Sequence, residues 1–499
     1  MEFLLTYLGL RTRMTCFVLF RAGYFIKVSG DKEKHMSKKE KLRGKDLSEL
    51  GYQSTELISL AMMIVGKEFK YEGKSKQVEV LKDLIEDPQS FSMHPVLGVV
   101  ANKIMDVEKD IPKYIFEDKA YNIYGEEGIE EGAKLQMKTA MSLPIVVGGA
   151  LMPDAHHGYG LPIGGVLATE NAIIPYGVGV DIGCRMCLTV FEAKEDFLTE
   201  KKKELKRILE ENTRFGKTVF EDQKRDDDFF DRAELSQLGI LRQLRDKAYT
   251  QIGSSGGGNH FVEFGLVEIE DAENSLGLAV GKYVALLSHS GSRGFGATIA
   301  GHYTNVAKKL RQLPKNLAHL SWLNMDEAEG QEYWLAMNMA GDYASACHDH
   351  IHKRIKKAIG LEEVLRIENH HNFAWKDTLE DGREVFVHRK GATPAHVGEL
   401  GIIPGSMTEP AFIVMGKGAK GSLHSASHGA GRLFSRTKAK ESFTTKMMNG
   451  ILKDKGVELI GGGLDESPDA YKNIHNVMKA QSELVEVLGM FFPKIVRME

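Results

Sequence analysis

The sequence predicts a mixed α and β fold in which chemically active motifs lie at the ends of strands. Short apolar runs of strand length, such as 188–191 and 283–287, alternate with longer amphipathic stretches, such as 199–212 and 325–358. The chain has 52 glycines and 18 histidines, and they cluster in short polar phrases beside the apolar runs. Because loops at strand ends commonly carry binding and catalytic residues, we expect the functional site there.

The composition is that of a globular chain large enough for one big core or two domains, with 499 residues, 42% hydrophobic and 27% charged. A formal net charge of −4 gives no general attraction to nucleic acid, so RNA binding would need a local basic patch. Four scattered cysteines cannot form a disulfide framework, which favours a cytoplasmic location.

The first 35 residues differ from the rest of the chain. Arg11, Arg13 and Arg21 interrupt their apolar runs, so no stretch reaches the roughly 20 residues of a membrane-spanning helix, and we expect no membrane contact. No secretory signal pattern is present either. We expect residues 1–35 to be a mis-started or dispensable extension, whose removal leaves folding and activity unchanged. Residues 36–499 are then expected to form a single catalytic domain.

The chain from Ser54 to about Asn122 is predicted to be mostly helical. The first polar phrase follows at 152–165, where Asp154 and two histidines stand between glycine and proline residues. We expect this phrase on a loop at a strand end. It is equally consistent with a functional site and with a tight turn in which Asp154 bonds its own backbone.

A glycine-bent loop at 177–186 is predicted to enter the strand at 188–191. Asp181 and Cys184 lie three residues apart on this bend and can turn a carboxylate and a thiolate toward one point. A hard and a soft donor together suit Mn, Fe, Co or Zn better than Mg or Ca. These two residues alone are weak evidence for a metal site, and the histidines downstream strengthen that interpretation.

Two glycine-rich phrases follow at 253–263 and 288–294. The first exposes backbone N–H groups that can cradle phosphate oxygens, and it ends in Asn259, His260 and Glu263. It is neither a P-loop nor a dinucleotide-binding pattern. The second carries His289 and Arg293 at a strand end, and arginine suits a phosphate.

The long helix predicted at 325–358 carries His348, His350 and His352. The spacing of His348 and His352 is that of metal ligands on a helix, but the flanking charged residues favour a solvated helix end. We adopt the second interpretation.

The remaining phrases lie at 367–373, 387–394, 402–407 and 422–432. The last places His428 at a glycine-rich segment that we expect to open a helix, with Arg432 nearby, where an anionic phosphate would bind. Histidine is also a competent nucleophile toward phosphorus.

Taken in order, the phrases P-D-A-H, D-I-G-C, G-N-H-F, S-H-S-G-S-R-G, H-H-N, H-R-K-G-A-T, P-G-S-M and S-H-G-A-G-R resemble the RtcB family of RNA-splicing ligases. The resemblance runs from about Pro144 to the C-terminus. It implies an α+β RtcB-like fold, a twisted β core surrounded by helices with a central active-site cleft. It also implies joining of an RNA 3′-phosphate or 2′,3′-cyclic phosphate end to a 5′-hydroxyl end, with GTP and two Mn²⁺ ions.

The resemblance also assigns roles to individual residues. The metal ligands would be Asp181, Cys184, His260, His289 and His371. His428 would be the catalytic nucleophile that takes GMP from GTP. The nucleotide would contact Asn259, His260, Phe261, Val262, Glu263, His371, Asn372, Pro404, Gly405, Ser406, Met407, Ala411, His428, Gly429, Ala430, Gly431 and Tyr471. The RNA ends would lie near Asp154, Arg293, His388, Arg389 and Lys390. The implied partners are RNA with broken ends and an archease-like activator.

Two positions depart from the family pattern. Ala411 stands where the family usually has a serine, and Met498 stands where a lysine usually contacts the nucleotide. We interpret the chain as a divergent paralogue with slower or less guanine-selective guanylylation. Two alternatives are a metal-dependent phosphodiesterase acting on RNA ends and a non-catalytic RNA-binding relative.

Overall fold

The computed structural model describes residues 41–52, 54–109, 114–221 and 226–499, so the predicted extension at 1–35 lies outside the described residues. The chain divides into two compact units, Met1–Asp110 and Ile111–Glu499. The assignment of residues 36–499 to a single catalytic domain stays a prediction. Within the described ranges, no helix is both long enough and apolar enough to cross a membrane.

The described part of the first unit is helical, as predicted. Its helices are α1 (Gly44–Glu49), α2 (Thr55–Glu68), α3 (Lys74–Glu86), α4 (Pro88–Phe91) and α5 (Gly98–Lys109). Helix α2 begins where the Ser54 hydroxyl accepts a hydrogen bond from the Leu57 N–H at 3.0 Å. Leu57, Ala61 and Val65 follow at helical spacing on one face and are buried in the core of this unit.

The second unit combines sheets with helices, which confirms the predicted mixture of α and β structure. Its strands are β1 (Asn122–Ile123), β2 (Val146–Tyr159), β3 (Leu161–Thr169), β4 (Ala172–Ile173), β5 (Arg185–Phe191), β6 (Phe261–Ile269), β7 (Gly281–Ser290), β8 (Leu323–Asn324), β9 (Glu363–His370), β10 (Asn372–Thr378), β11 (Glu384–Lys390), β12 (Ala392–Pro394), β13 (Leu400–Pro404), β14 (Ala411–Gly416), β15 (Ser425–Ser427), β16 (Glu458–Ile460) and β17 (Val485–Met498).

Helices of the second unit include both predicted amphipathic stretches. They are α6 (Glu131–Met141), α7 (Asp196–Glu200), α8 (Lys202–Asn212), α9 (Glu234–Gln237), α10 (Gly239–Gln251), α11 (Arg293–Arg311), α12 (Ala328–Ile359), α13 (Arg436–Ser442), α14 (Thr445–Lys455) and α15 (Ile474–Ala480). Short 3₁₀ turns lie at Glu126–Gly128, Pro175–Val178, Asp228–Asp231, Ala318–Leu320, Lys420–Ser422, Leu464–Glu466 and Pro468–Ala470. Along α12, the small residues Ala336, Ala340 and Ala344 are buried, which allows close packing.

The largest sheet runs β13-β14-β17-β6-β7-β5-β9, with β16 also paired to β17. Its two ends approach each other, because the Asn369 side chain on β9 accepts a hydrogen bond from the Ile402 N–H on β13 at 3.0 Å. The sheet therefore curls into a nearly closed barrel. A second sheet has the order β1-β2-β3-β11-β10, and the pairs β12-β15 and β4-β8 stand apart.

Antiparallel pairing brings the polar motifs to one end of the large sheet. Arg185, the first residue of β5, pairs with Ser290 at the end of β7 and with His370 at the end of β9. Cys184, His289 and His371 therefore come to the same end, although they are far apart in sequence.

Candidate active site

The predicted metal ligands converge at this end of the large sheet. The Cys184 sulfur lies 3.4 Å from Nε2 of His260 and 3.2 Å from Nε2 of His289. Nε2 of His371 lies 3.2 Å from that of His289. An Asp181 carboxylate oxygen lies 3.1 Å from Nε2 of His260. Ligand atoms of Cys184, His260 and His289 thus lie within 4.8 Å of one another, with the Asp181 carboxylate beside His260 and His371 beside His289.

This donor set fits a transition metal. Tetrahedral bonds of about 2.0–2.3 Å place neighbouring ligand atoms roughly 3.3 Å apart, close to the separations seen here. The His289 Nδ1–H donates to the Asn259 carbonyl at 3.0 Å, which leaves the Nε2 lone pair for a metal. Burial lowers the pKa values of His289 and His371, so both rings are neutral.

The environment of Cys184 also calls for a cation. Burial, followed by the adjacent Asp181 carboxylate, raises the pKa of the Cys184 thiol well above its ordinary value. A thiolate is therefore stable at this position only beside a compensating positive charge. A metal ion would supply that charge and would deprotonate the sulfur.

Contacts with neighbouring segments hold Asp181 in place on the loop before β5. The Asp181 carboxylate accepts a hydrogen bond from the Ser292 N–H at 3.1 Å. A Cβ at Gly291 would lie 2.1 Å from this carboxylate, so glycine is required there. The predicted nucleotide residue Asn372 serves the same loop, because its side chain donates to the Asp181 carbonyl at 3.2 Å and accepts from the Gly391 N–H at 2.9 Å.

His428 is paired with Asp154. Nδ1 of His428 lies 2.6 Å from an Asp154 carboxylate oxygen, which also accepts from the His428 N–H at 3.2 Å. Burial alone would raise the pKa of Asp154, but the hydrogen bond and charge of His428 outweigh it and lower the pKa. The ring of His428 lies 5.0 Å from the ring of His371, beside the metal ligands.

Two expectations about these motifs are wrong. The phrase containing Asp154 does not form a loop but runs from β2 through a turn at Gly160 into β3, and the register of the two strands shifts between Leu151 and His156. His428 does not open a helix. It follows β15, and the short helix α13 begins only at Arg436. Neither local pattern reveals the neighbouring strand with which the segment pairs.

A cleft of about 290 Å³ lies beside His428. Most residues predicted to contact the nucleotide line it, namely Asn259, Phe261, Glu263, His371, Pro404, Gly405, Ser406, Met407, Ala411, His428, Gly429, Ala430, Gly431 and Tyr471. His289 lines it as well. Val262 does not, because alternation along β6 turns its side chain into the core on the opposite face. His260 lies behind the cleft among the metal ligands.

Glu263 lies deep in this cleft. It is 4% exposed, and burial raises the pKa of its carboxyl well above the ordinary value. It pairs across the sheet with Val496, while Phe261 pairs with Met498, so apolar side chains of β17 form the adjacent wall. A buried carboxyl in an apolar wall is suited to a ligand that donates hydrogen bonds.

Arg432, expected near a phosphate, and Met498, at the position of the family's nucleotide-contacting lysine, also line the cleft. The remaining lining residues have no role assigned from the sequence, and they are His156, Ile163, Met186, Glu409, Arg436, Glu466, Pro493 and Val496. The buried Glu466 accepts a hydrogen bond from the Tyr471 hydroxyl and pairs with Arg432 at 3.4 Å and Arg436 at 2.5 Å. Arg432 ends the phrase S-H-G-A-G-R and Arg436 follows it by four residues, so that phrase is the sequence signal for both arginines. Glu466 stands in no recognisable motif.

The residues predicted to meet RNA ends do not line the cleft. Asp154 contacts His428 instead, as described above. The Arg293 guanidinium donates to the Ser254 hydroxyl at 3.2 Å and to the Gly216 carbonyl. The buried His388 ring accepts from the Ile174 N–H at 2.9 Å.

Arg389 and Lys390 are also buried. Arg389 donates to the Ser425 hydroxyl at 2.7 Å and to the Leu423 carbonyl at 3.0 Å. Lys390 donates to the carbonyl of Leu161 at 2.9 Å, and burial lowers its pKa to about 7. The assignment of these residues to RNA stays a prediction.

The histidines of α12 correct another expectation. His348 and His352 are buried rather than solvated. Both rings bond the Ser288 hydroxyl, at 2.6 and 2.7 Å, and His352 also bonds the Thr189 hydroxyl at 2.7 Å. They lie close enough to Cys187 to share a metal. However, hydrogen bonds already satisfy each ring nitrogen, so these side chains form a polar core network.

Comparison with known proteins is consistent with this geometry. The model of the family described as tRNA-splicing ligase RtcB matches residues 136–237 and 231–498. The RNA-splicing ligase RtcB of Escherichia coli (strain K12) is 34% identical over 397 residues, which cover 72% of this chain and 92% of that protein. The tRNA-splicing ligase RtcB of Nanoarchaeum equitans is 30% identical over 478 residues, which cover 79% of this chain and 99% of that protein. The tRNA-splicing ligase RtcB of Thermococcus kodakarensis is 29% identical over 466 residues, which cover 77% of this chain and 95% of that protein.

Proposed function

This chain belongs to the RtcB family and is an RNA ligase, and from that premise we propose that it joins RNA 3′-phosphate or 2′,3′-cyclic phosphate ends to 5′-hydroxyl ends by way of a histidine–GMP intermediate. We infer that its fold is that of the family and that it acts in the cytoplasm on broken or spliced RNA, with an archease-like activator. The observation that carries the proposal is the position of His428, paired with Asp154 and adjacent to the cluster of metal ligands.

Asp154 determines which nitrogen of His428 reacts. With Nδ1–H donated to the carboxylate, the lone pair resides on Nε2, and the carboxylate stabilises the positive charge that develops during attack. Nε2 forms a bond to the α-phosphorus of GTP while the bond from that phosphorus to the bridging oxygen breaks, and pyrophosphate leaves. A 2′,3′-cyclic end is first hydrolysed, water adding to phosphorus as the bond to the 2′-oxygen breaks, and the resulting RNA 3′-phosphate displaces His428 from the GMP. Finally, the RNA 5′-hydroxyl attacks the activated 3′-phosphate, and GMP leaves.

Asp181, Cys184, His260, His289 and His371 would hold the metal, which we propose to be a pair of Mn²⁺ ions. When bound, these ions neutralise phosphate charge and orient the phosphoryl groups. The chain's own contribution is to keep all three imidazoles buried, and those of His289 and His371 neutral, so that they can act as ligands.

The cleft favours a guanine nucleotide. Guanine presents an N1–H and an exocyclic amine, which would donate to the oxygens of the buried Glu263 carboxyl, whereas adenine offers no N1–H. Because burial favours the neutral form of this carboxyl, each hydrogen bond contributes about 0.5–1.5 kcal/mol, or roughly two- to tenfold in affinity. Backbone N–H groups at 429–431 would approach the phosphates.

The decisive test is incubation of the full chain with Mn²⁺ and GTP labelled at its α-phosphate. We expect a covalent label that survives denaturation and is lost on acid treatment, as a phosphoramidate should be. His428→Ala should form no adduct while keeping its metal content, and His475→Ala, which removes an exposed histidine elsewhere, should label normally. Unlabelled GTP should suppress labelling at lower concentration than ATP.

The same assay separates the alternatives. A phosphodiesterase would cleave the cyclic phosphate of RNA ends without an adduct, and a non-catalytic relative would bind RNA and do neither. Labelling that persists in His428→Ala would refute the assignment of the nucleophile.

A further inference from the structure

A second cluster of ligating side chains lies outside the cleft and consists of Asp377, His396 and His424. One potential ligand atom from each lies within 4.8 Å of the others. Nε2 of His396 lies 3.8 Å from an Asp377 carboxylate oxygen, and the rings of His396 and His424 stack with centroids 4.7 Å apart. We propose that this cluster, here called the distal triad, binds a divalent transition metal of the zinc class.

The topology separates the distal triad from the active site. Three segments each carry a triad residue at one end and, at the other, His371, His428 or Gly391, which lies beside the ring of His428. Strand β10 follows His371 and contains Asp377, the segment through β12 runs from Gly391 to His396, and the segment through β15 runs from His424 to His428. Four residues of extended chain span about 13 Å, so a metal at the triad would be distinct from those at the cleft.

The backbone holds the two histidines together before any ion binds. The Ala395 N–H donates to the His424 carbonyl at 2.8 Å, and the His396 N–H donates to the Glu399 carboxylate at 3.1 Å. Leu423 and His424 have φ angles of 55° and 50°, in the left-handed region that non-glycine residues rarely adopt. Such conformations persist only where the surrounding contacts enforce them, and they cluster at functional sites.

One donor in the triad lacks a partner. Nδ1 of His424 is buried, and no group among the described residues hydrogen-bonds to it. The imidazoles of α12 differ, because hydroxyls and a carbonyl satisfy them. An unsatisfied imidazole beside a second imidazole and a carboxylate is the pattern expected of a vacant ligand set rather than of a core network.

Charge and chemistry favour a cation of this class. The charged groups facing His396 are the Asp377 and Glu399 carboxylates and the Arg389 guanidinium, which sum to one negative charge when the imidazoles are neutral. Two imidazoles and one carboxylate suit Zn²⁺, Co²⁺ or Ni²⁺ better than Mg²⁺ or Ca²⁺.

The geometry requires only a small closure. Tetrahedral zinc would bring the ligand atoms to about 3.3 Å from each other, with water in the fourth position. The His396 side chain is 44% exposed and can rotate toward such an ion. Once bound, the metal would link the end of β10 to the paired strands β12 and β15. His428 directly follows β15.

The test uses the full chain carrying Cys184→Ala, which removes the thiolate of the cleft, and Co²⁺ as a visible substitute for Zn²⁺. Adding His424→Ala or Asp377→Asn should abolish one equivalent of bound Co²⁺ and its ligand-field absorption. Adding His475→Ala should change neither. Zn²⁺ should displace the Co²⁺ and raise the melting temperature of the Cys184→Ala protein by a margin that Asp377→Asn removes.

Asp377→Asn keeps the shape of the side chain, so this variant still tests the proposed site if His424→Ala fails to fold. Equal Co²⁺ stoichiometry in Cys184→Ala with and without Asp377→Asn would overturn the proposal. So would sulfur-to-cobalt charge transfer that disappears with Cys187→Ser, because the ion would then be bound by the side chains of α12. Neither outcome would bear on the histidine–GMP chemistry, which has its own assay.

Discussion

At the scale of single residues, the hydrogen bond between Asp154 and His428 governs the proposed nucleophile. Asp154→Asn should slow formation of the GMP adduct by about a hundredfold or more, because an amide can present its N–H₂ to Nδ1 and favour the wrong tautomer. Single-turnover labelling rates measure this effect. Metal content and melting temperature should remain near those of the unmodified protein, since the change is isosteric. An unchanged labelling rate would show that Asp154 does not orient the ring.

Lys390 makes the stability of the protein depend on pH. Its folded pKa of about 7 lies below the unfolded value of about 10.4, so below pH 7 both states are protonated and the folded state bears the full cost of a buried ammonium. From pH 7 to 10 the unfolded state binds more protons, so stability from this group rises with pH.

Lys390→Met should therefore gain stability relative to the unmodified protein at pH 6.5, and this difference should shrink by roughly 2–4 kcal/mol at pH 10. Urea unfolding at both pH values measures it. Lys479→Met, at an exposed position on α15, should show no such change with pH. A pH-independent difference would mean that Lys390 retains its proton in the folded protein.

At the scale of elements, α12 supports the strands that carry metal ligands. His352 bonds Ser288, the residue before His289, and Thr189 on β5. His352→Ala should cost about 2–4 kcal/mol in the free energy of unfolding, because it leaves buried hydroxyls unpaired beside a cavity. His350→Ala on the same helix removes a single contact to Asp227, in which the two side chains are 22% and 19% exposed, and should cost about 1 kcal/mol. Equal costs would contradict this account.

These elements also show what can be derived from the sequence. Hydrophobic periodicity identified α12 and the strands β5 and β7, because burial on one face imposes a repeat on the residues themselves. It could not reveal that His348 and His352 face inward, since their partners lie on strands distant in sequence. The phrase at 152–165 likewise reads as a loop, because its sequence does not show the pairing that it makes in β2 and β3. The eight phrases identified most of the cleft, whereas Glu466, which stands in no phrase, could be found only through its partners in space.

At the scale of the whole molecule, the chain offers a natural division for experiment. The active-site residues and the family match lie within Ile111–Glu499. We expect a fragment of residues 111–499 to fold and to form the GMP adduct, as should a chain lacking residues 1–35. Circular dichroism and labelling measure both properties. A fragment that folds but does not label would show that the first unit contributes to catalysis.

The convergence of antiparallel strands at one end of the large sheet also constrains when the metal ligands can act together. The proposed ligand set spans residues 181–371 and comes from the ends of β5, β6, β7 and β9 and the residues beside them. No short segment of the nascent chain contains it, so it is assembled only after long-range strand pairing, the slow step for folds of high contact order. Unlike a zinc finger, whose closely spaced ligands let the ion drive folding, this chain must build most of its sheet first. Occupancy by the proposed metal would therefore report that this end of the sheet has folded, and a misfolded chain would stay unloaded.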